Sequence, residues 1–192
     1  LVKDVIVQVR EDQGGNKKLV AYIVPDLYLQ DSHSHDQEGT THIERWRGLY
    51  DQVYGQKKLS DPTFNVVGWD SSFTGKPIPR EEMQEWVDST SNVVLSLNPR
   101  KVLELGCGTG LLLFQVAPHC DEYTATDFSA TAIRGLAKAL EHRDHSLPQV
   151  RLLQKNADDF EGINGVFDTV ILNSVVQYFP HLDYLIDILD KA

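Results

Sequence analysis

Cys107 and Cys120 are the only two cysteines in 192 residues. Two thiols cannot build a disulfide framework, and they fit a reducing, cytoplasmic setting. No run of about 18 apolar residues occurs, so no segment is expected to span a membrane. No charged-then-apolar leader precedes the first strand-like stretch, so no signal peptide is expected. Positive charge is scarce. Lys and Arg number 18 against 28 Asp and Glu, a formal net charge of −10. Nucleic acid is therefore not the expected partner, because neutralising phosphates takes clustered Lys and Arg. Internal repeats and low-complexity tracts are missing too.

What is present suits a packed core. Hydrophobic residues make up 41% of the chain, and its length fits one domain, or one domain plus a fragment of another. Both ends are expected to be cut. The chain opens on Leu1 at the approach to a strand and closes on "LIDILDKA", inside an amphipathic helix with no capping glycine. A segment of something longer is the expectation.

Residues 4–10, "DVIVQVR", and 19–24, "LVAYIV", are strand-like, and Gly14, Gly15 and Asn16 between them suit the positive φ of a hairpin turn. Pro25 ends the second strand. Residues 26–41 are polar and aperiodic and are assigned to a linker. Within them His33, His35 and Asp36 could suggest a metal, but "HSHD" in such a stretch reads as solvated, and no metal site is assigned. From residue 42, Ile43, Trp46, Leu49, Tyr50 and Val53 recur at helical spacing. Residues 64–79, rich in Gly, Ser, Pro and aromatics, have an ordered-loop composition. Pro79 suits the first turn of a long helix with Met83, Trp86, Val87, Thr90, Val93, Val94 and Leu97 on one stripe.

Beyond Pro99 strands and helices alternate. Strands are expected at 101–105, 122–126, 150–154 and 167–172, and helices at about 110–117, 129–142 and 181–190. Ser129 is the expected N-cap of the middle helix, with Ile133, Leu136, Ala137 and Leu140 facing inward. Repeated β-α-β predicts an α/β fold with a Rossmann-like, doubly wound parallel sheet.

Ligands of such sheets bind at the carboxyl ends of the strands, near the switch in strand order. There the stretch "VLELGCGTG" places Gly106, Gly108 and Gly110, and glycine leaves no Cβ between backbone and ligand. A dinucleotide site wants G-x-G-x-x-G; the spacing here is G-x-G-x-G, with Glu104 two residues ahead of it. Asp127 ends the second strand of this run, where a carboxylate accepts from both hydroxyls of a ribose. Asp158 follows the next strand in "NADDF" and can accept from an adenine amino group. The set describes an adenosine pocket without a pyrophosphate.

"VLELGCGTG", "TDFSA", "NADDF" and "ILNSVVQYFP" together resemble a class I S-adenosylmethionine-dependent methyltransferase. The longer block from "GWDSSFTGKPIP" to "FQVAPHC" is similar to the methyltransferase domain embedded in the adenylation domain of nonribosomal peptide synthetases, and "LVKDVIVQVREDQGGNKKLVAYIVP" is similar to the adenylation subdomain just before it. The resemblance implies 1–25 as adenylation subdomain fragment, 26–41 as linker and 42–192 as the first part of the methyltransferase domain, ending after its fourth strand. It implies S-adenosylmethionine as cofactor. Gly106, Cys107, Gly108 and Gly110, with Glu104 nearby, would hold the methionine half. Asp127 beside Phe128 would take the ribose, and Asp158 beside Ala157 would face adenine. Asn173 and Ser174 would close the pocket near the methyl group, with Gln177 and Tyr178 following. "GWDSSFTG" would fold over the cofactor. Asn173 and Tyr178 are the candidate catalytic residues, orienting the substrate amine. The implied substrate is an aminoacyl group on the phosphopantetheine arm of a carrier protein, with adenylation and carrier domains as neighbours. Three further strands and the adenylation lysine of the family pattern are absent, so the chain is not expected to activate an amino acid itself. The fourth strand would also be left as an open edge, which implies marginal stability for the isolated piece.

Plainer readings stand beside these. Asp127 can serve as a helix-capping acid ahead of Ser129, and Asp158 and Asp159 can be solvated loop acids. Cys107 is expected as a small filler of a tight turn, and Trp46 and Trp86 as core. For Trp69 a lid role and a packing role remain open, and Tyr178 and Phe179 can simply pack a helix start. For the whole chain, C-methylation in a polyketide-type module, a non-catalytic structural insert and an NAD-dependent enzyme remain as alternatives, the last disfavoured by the glycine spacing.

Overall fold

The computed structural model describes residues 2–11, 17–25, 35–55, 61–141 and 146–192. The expected turn at Gly14–Asn16, most of the expected linker and His33 lie outside them. The chain divides into two units, Leu1–Glu38 and Gly39–Ala192. In the first, β1 (Val2–Glu11) pairs antiparallel with β2 (Lys17–Pro25), with Val5 opposite Ile23 and Val9 opposite Leu19.

Helix α1 (His35–Gly55) begins upstream of its apolar stripe and takes in residues 35–41, which polarity alone assigns to a linker. Once nucleated, a helix extends at one hydrogen bond per residue, so polar flanks follow an anchored stripe. Ile43, Trp46, Tyr50 and Val53 are partly buried, whereas Leu49 is exposed. Helix α2 (Arg80–Ser96) follows Pro79 and buries Met83, Val87 and Ser91. Val93 and Leu97, expected on that stripe, are exposed. Val93 stands six residues past Val87, about 240° around a helix of 3.6 residues per turn, so both cannot face one neighbour.

Four parallel strands form the sheet: β3 (Lys101–Leu105), β4 (Glu122–Asp127), β5 (Val150–Gln154) and β6 (Thr169–Ile171), in the order β5-β4-β3-β6. The short helix α3 (Leu113–Val116) and α4 (Ala130–Leu140) connect the first three strands, and α5 (Leu182–Lys191) follows β6. On one face Val102, Tyr123 and Ala125 pack with Leu113, Val116 and Leu136. On the other, Leu103 and Leu105 pack with Ile188 of α5. Both faces of β3 are covered, which is why "KVLEL" carries apolar residues of either parity. The sheet is doubly wound. Its strand order reverses between β3 and β6, placing their carboxyl ends side by side.

Helix α4 is capped as its sequence implies. Ser129 Oγ accepts from Ala132 N at 3.1 Å and donates to Asp51 Oδ1 of α1 at 2.6 Å, and Asp51 also accepts from Thr131 N. Leu136 is buried and Ile133 and Leu140 partly so, but Ala137 is exposed; the buried alanines are Ala132 and Ala139, which lie on the Leu136 side. Because Ser129 both caps α4 and holds Asp51, Ser129→Ala is expected to lower unfolding free energy by about 1–2 kcal/mol. Urea melts of the two proteins measure this, and coincident midpoints would refute the capping account.

Candidate active site

The glycine loop leaves β3 in a turn anchored to β4. Gly106 N and Cys107 N both donate to Thr126 O at 2.8 Å, and Gly110 N donates to Cys107 O. Gly106, with φ of +80°, faces Val175 so closely that a Cβ would lie 2.7 Å from Val175 Cγ2. Gly110, with φ of +83°, faces α4, and a Cβ there would overlap Leu136 Cδ2. Two of the three glycines thus admit protein side chains, not only a ligand. At Gly108 a Cβ would meet the Tyr54 hydroxyl at 3.3 Å.

Asp127, at the end of β4, reaches back to this loop. Its Oδ2 accepts from Gly108 N and its Oδ1 from Ser129 N, each at 2.8 Å. The helix-side role and the loop-side role therefore coexist. Each oxygen keeps a second acceptor site, so two hydroxyl donors can still be met. Burial raises the Asp127 carboxyl to about 6, against the pull of its two backbone donors. Glu104 is 3% exposed and is raised to about 7 by burial, although Tyr123 Oη donates to it at 2.8 Å and favours its charged form. Two buried acids on adjacent strands leave an uncompensated preference for positive charge. Cys107 sits between them as a thiol pushed well up by burial, so it is no nucleophile.

The residues after β6 close the opposite side. Ser174 adopts φ of 53°, a conformation rare outside glycine, and accepts Gln177 Nε2 on its carbonyl. Tyr178 then meets Tyr50 of α1, with 2.6 Å between hydroxyl oxygens. Above them lies the loop after α1. Asp70 bridges to Pro77, Trp69 packs at a tilt against Trp86 of α2 with 4.6 Å between ring centroids, and Phe73 is 92% exposed at the tip. Trp69 lines the cavity and packs at once.

These parts enclose one cavity of about 520 Å³. Of the residues expected at the site, Glu104, Gly106, Cys107, Gly108, Asp127 and Phe128 line it, as do Ala157, Asn173, Ser174 and Tyr178. Gly110 does not; it is the packing seat for Leu136. Asp158 does not either; its Oδ1 accepts from Tyr184 Oη at 2.7 Å and so ties the loop after β5 to α5. From that loop Lys155, Asn156 and Ala157 reach the cavity. Among the lining residues that sequence reading passes over are Tyr50 and Tyr54 of α1, Glu82 of α2, and Lys155 and Asn156. The tyrosines carry helical spacing like any packing stripe, and a preference for polar-tipped aromatics on it is the one signal that marks them.

The sequence profile of the family described as "Methyltransferase domain" matches residues 103–192. The chain is 46% identical over 180 residues, 92% of its length, to chondramide synthase of Chondromyces crocatus. It is 30% identical over 184 residues, also 92% of its length, to a nonribosomal peptide synthetase of Emericella nidulans. It spans 4% and 7% of those two proteins. Among solved structures, the N-methyltransferase NodS of Bradyrhizobium japonicum in complex with S-adenosyl-l-homocysteine aligns with a TM-score of 0.53 at 18% identity, covering 75% of this chain and 64% of NodS, which is a likeness of fold. With a glycine loop, an acid ending the neighbouring strand and a cavity at the switch in strand order, residues 103–192 match the methyltransferase domain family, on a fold like that of class I S-adenosylmethionine-dependent methyltransferases.

Proposed function

We propose that this chain forms the cofactor-binding part of an S-adenosylmethionine-dependent N-methyltransferase domain of a nonribosomal peptide synthetase. Its substrate is the α-amine of an aminoacyl group tethered to a carrier protein. The observation that carries this reading is the convergence of Gly106–Gly108, Asp127 and Asn173–Ser174 on one cavity with two buried acids. The likeness to synthetases along most of the chain supports the context.

S-adenosylmethionine, when bound, supplies an electrophilic methyl group on a sulfonium. The residues present fit it. Asp127 has acceptor sites left for the ribose hydroxyls, Glu104 and Asp127 favour a cation, and Phe128 and Ala157 offer apolar surface to the base. Gly106, Cys107 and Gly108 line the cavity where the methionine end would lie. The chain's own residues then have modest work. An α-amine has a pKa of about 7.7–8.0, so an appreciable fraction is already the nucleophile near neutral pH. Holding the amine in line contributes most of the acceleration. Asn173 and Tyr178 orient it, and the aromatic wall of Tyr50, Tyr54 and Trp69 limits water.

Two outcomes test this. Below about pH 7 the free protein holds Glu104 protonated, and below about 6 Asp127 also. A cationic ligand prefers both ionised, so affinity for S-adenosylmethionine must fall with pH, by roughly tenfold or more between pH 8 and 5.5. Calorimetric titration at each pH measures it; affinity that is flat, or that rises in acid, contradicts the assignment. In the intact synthetase, Asn173→Ala should keep cofactor affinity and lose most N-methylation, followed by mass spectrometry of the carrier-bound product. Unchanged turnover would remove Asn173 from the site.

A further inference from the structure

Tyr50 and Tyr178 are 128 residues apart in sequence, yet their hydroxyls meet at 2.6 Å inside the cavity. Their rings are wedged in place. Trp46 packs on Tyr178 at 4.7 Å between centroids, and Tyr54 and Phe128 pack on Tyr50 at 5.3 and 6.2 Å. One of the two phenols must donate and the other accept. The contact has Tyr50 Oη as donor and Tyr178 Oη as acceptor, and burial beside Asp127 keeps Tyr50 protonated. A phenol oxygen, conjugated with its ring, offers one good in-plane acceptor direction beside its own O–H. Tyr50 occupies that direction on Tyr178. Among the described residues no acceptor takes the Tyr178 proton, which leaves Tyr178 as a donor toward the cavity.

We infer that Tyr50 is a positioning residue that commits the Tyr178 hydroxyl to donating a hydrogen bond to a carbonyl oxygen of the substrate, so that the site selects amines next to an acyl group over simple alkylamines. This rests on the N-methyltransferase reading and sharpens it. An amine N–H needs an acceptor, which the Asn173 amide oxygen supplies. The acyl carbonyl needs a donor, which Tyr178 supplies. Together the two contacts fix the bond between amine and carbonyl carbons relative to the methyl donor. Neither contact alone fixes the direction of the amine lone pair.

The test uses the chain saturated with S-adenosylhomocysteine. Two probes are titrated and followed by amide chemical shifts: an L-alanyl thioester of N-acetylcysteamine, and the matching thioether in which a methylene replaces the carbonyl. One neutral hydrogen bond corresponds to about a tenfold preference for the thioester. Tyr178→Phe should bring that preference close to one. Tyr50→Phe should reduce it about threefold or more, and should have no further effect in the Tyr178→Phe background. If Tyr50 merely supports the fold, Tyr50→Phe weakens both probes alike and its effect adds to that of Tyr178→Phe, which overturns the inference. Equal binding of the two probes by the unaltered chain, or binding of neither, overturns it as well. Failure to bind S-adenosylhomocysteine would bring down the proposed function, whereas cofactor binding without discrimination between probes would bring down this inference alone.

Discussion

The Asp127 carboxylate, clamped between Gly108 N–H and Ser129 N–H, is the contact on which the rest of the site depends. It ties the glycine loop of β3 to the start of α4 at the tip of β4. Removing water from a carboxylate is costly, and two short backbone hydrogen bonds offset that cost only in part. The raised pKa of Asp127 records what is left over. Ser129 passes the linkage on to Asp51, so α1 is held against the same sheet edge. Through one buried acid the loop, two helices and two strands share a single anchor.

That anchor explains the character of the cavity. Glu104 and Asp127 are both buried, and no described Lys or Arg forms a salt bridge with either. A structural core would gain nothing from such a pair, whereas a pocket for a cationic nucleoside gains affinity from it. The opposite wall is aromatic. Tyr50, Tyr54 and Tyr178 present ring faces with polar tips, a surface suited to a positively charged sulfur on one side and a polar substrate on the other. The strained Ser174 sits between these walls, at the end of β6.

The sheet and its connections were legible in the sequence because parallel strands covered on both faces appear as short apolar runs separated by helical stripes. All four strands lie where those runs predict, and β3 and β5 match residue for residue. The place of Asp127 at the tip of β4 beside the glycine loop was legible because the apolar run of β4 ends on it, and its two hydrogen bonds there come from the backbone at Gly108 and Ser129. Gly110 and Asp158 were misleading for a physical reason. A glycine serves a close packing partner as readily as a ligand, and Leu136 is that partner here. A loop acid serves any nearby donor, and Tyr184 arrives from a helix that no local pattern connects to it. Tyr50 and Tyr54 went unread because a helical stripe shows which face is buried, not what it is buried against. The start of α1 was hidden for a related reason, since polar residues continue a helix without leaving a stripe.

The central claim is that a nucleoside with a positively charged sulfur lies in the cavity at the switch in strand order, with its ribose on Asp127. A crystal structure of the chain soaked with S-adenosylmethionine tests this most directly. The account predicts both ribose hydroxyls within hydrogen-bond reach of the Asp127 carboxylate, with the sulfur between Gly106 and Asn173. Density for the nucleoside elsewhere, or Asp127 turned away from the sugar, would contradict it.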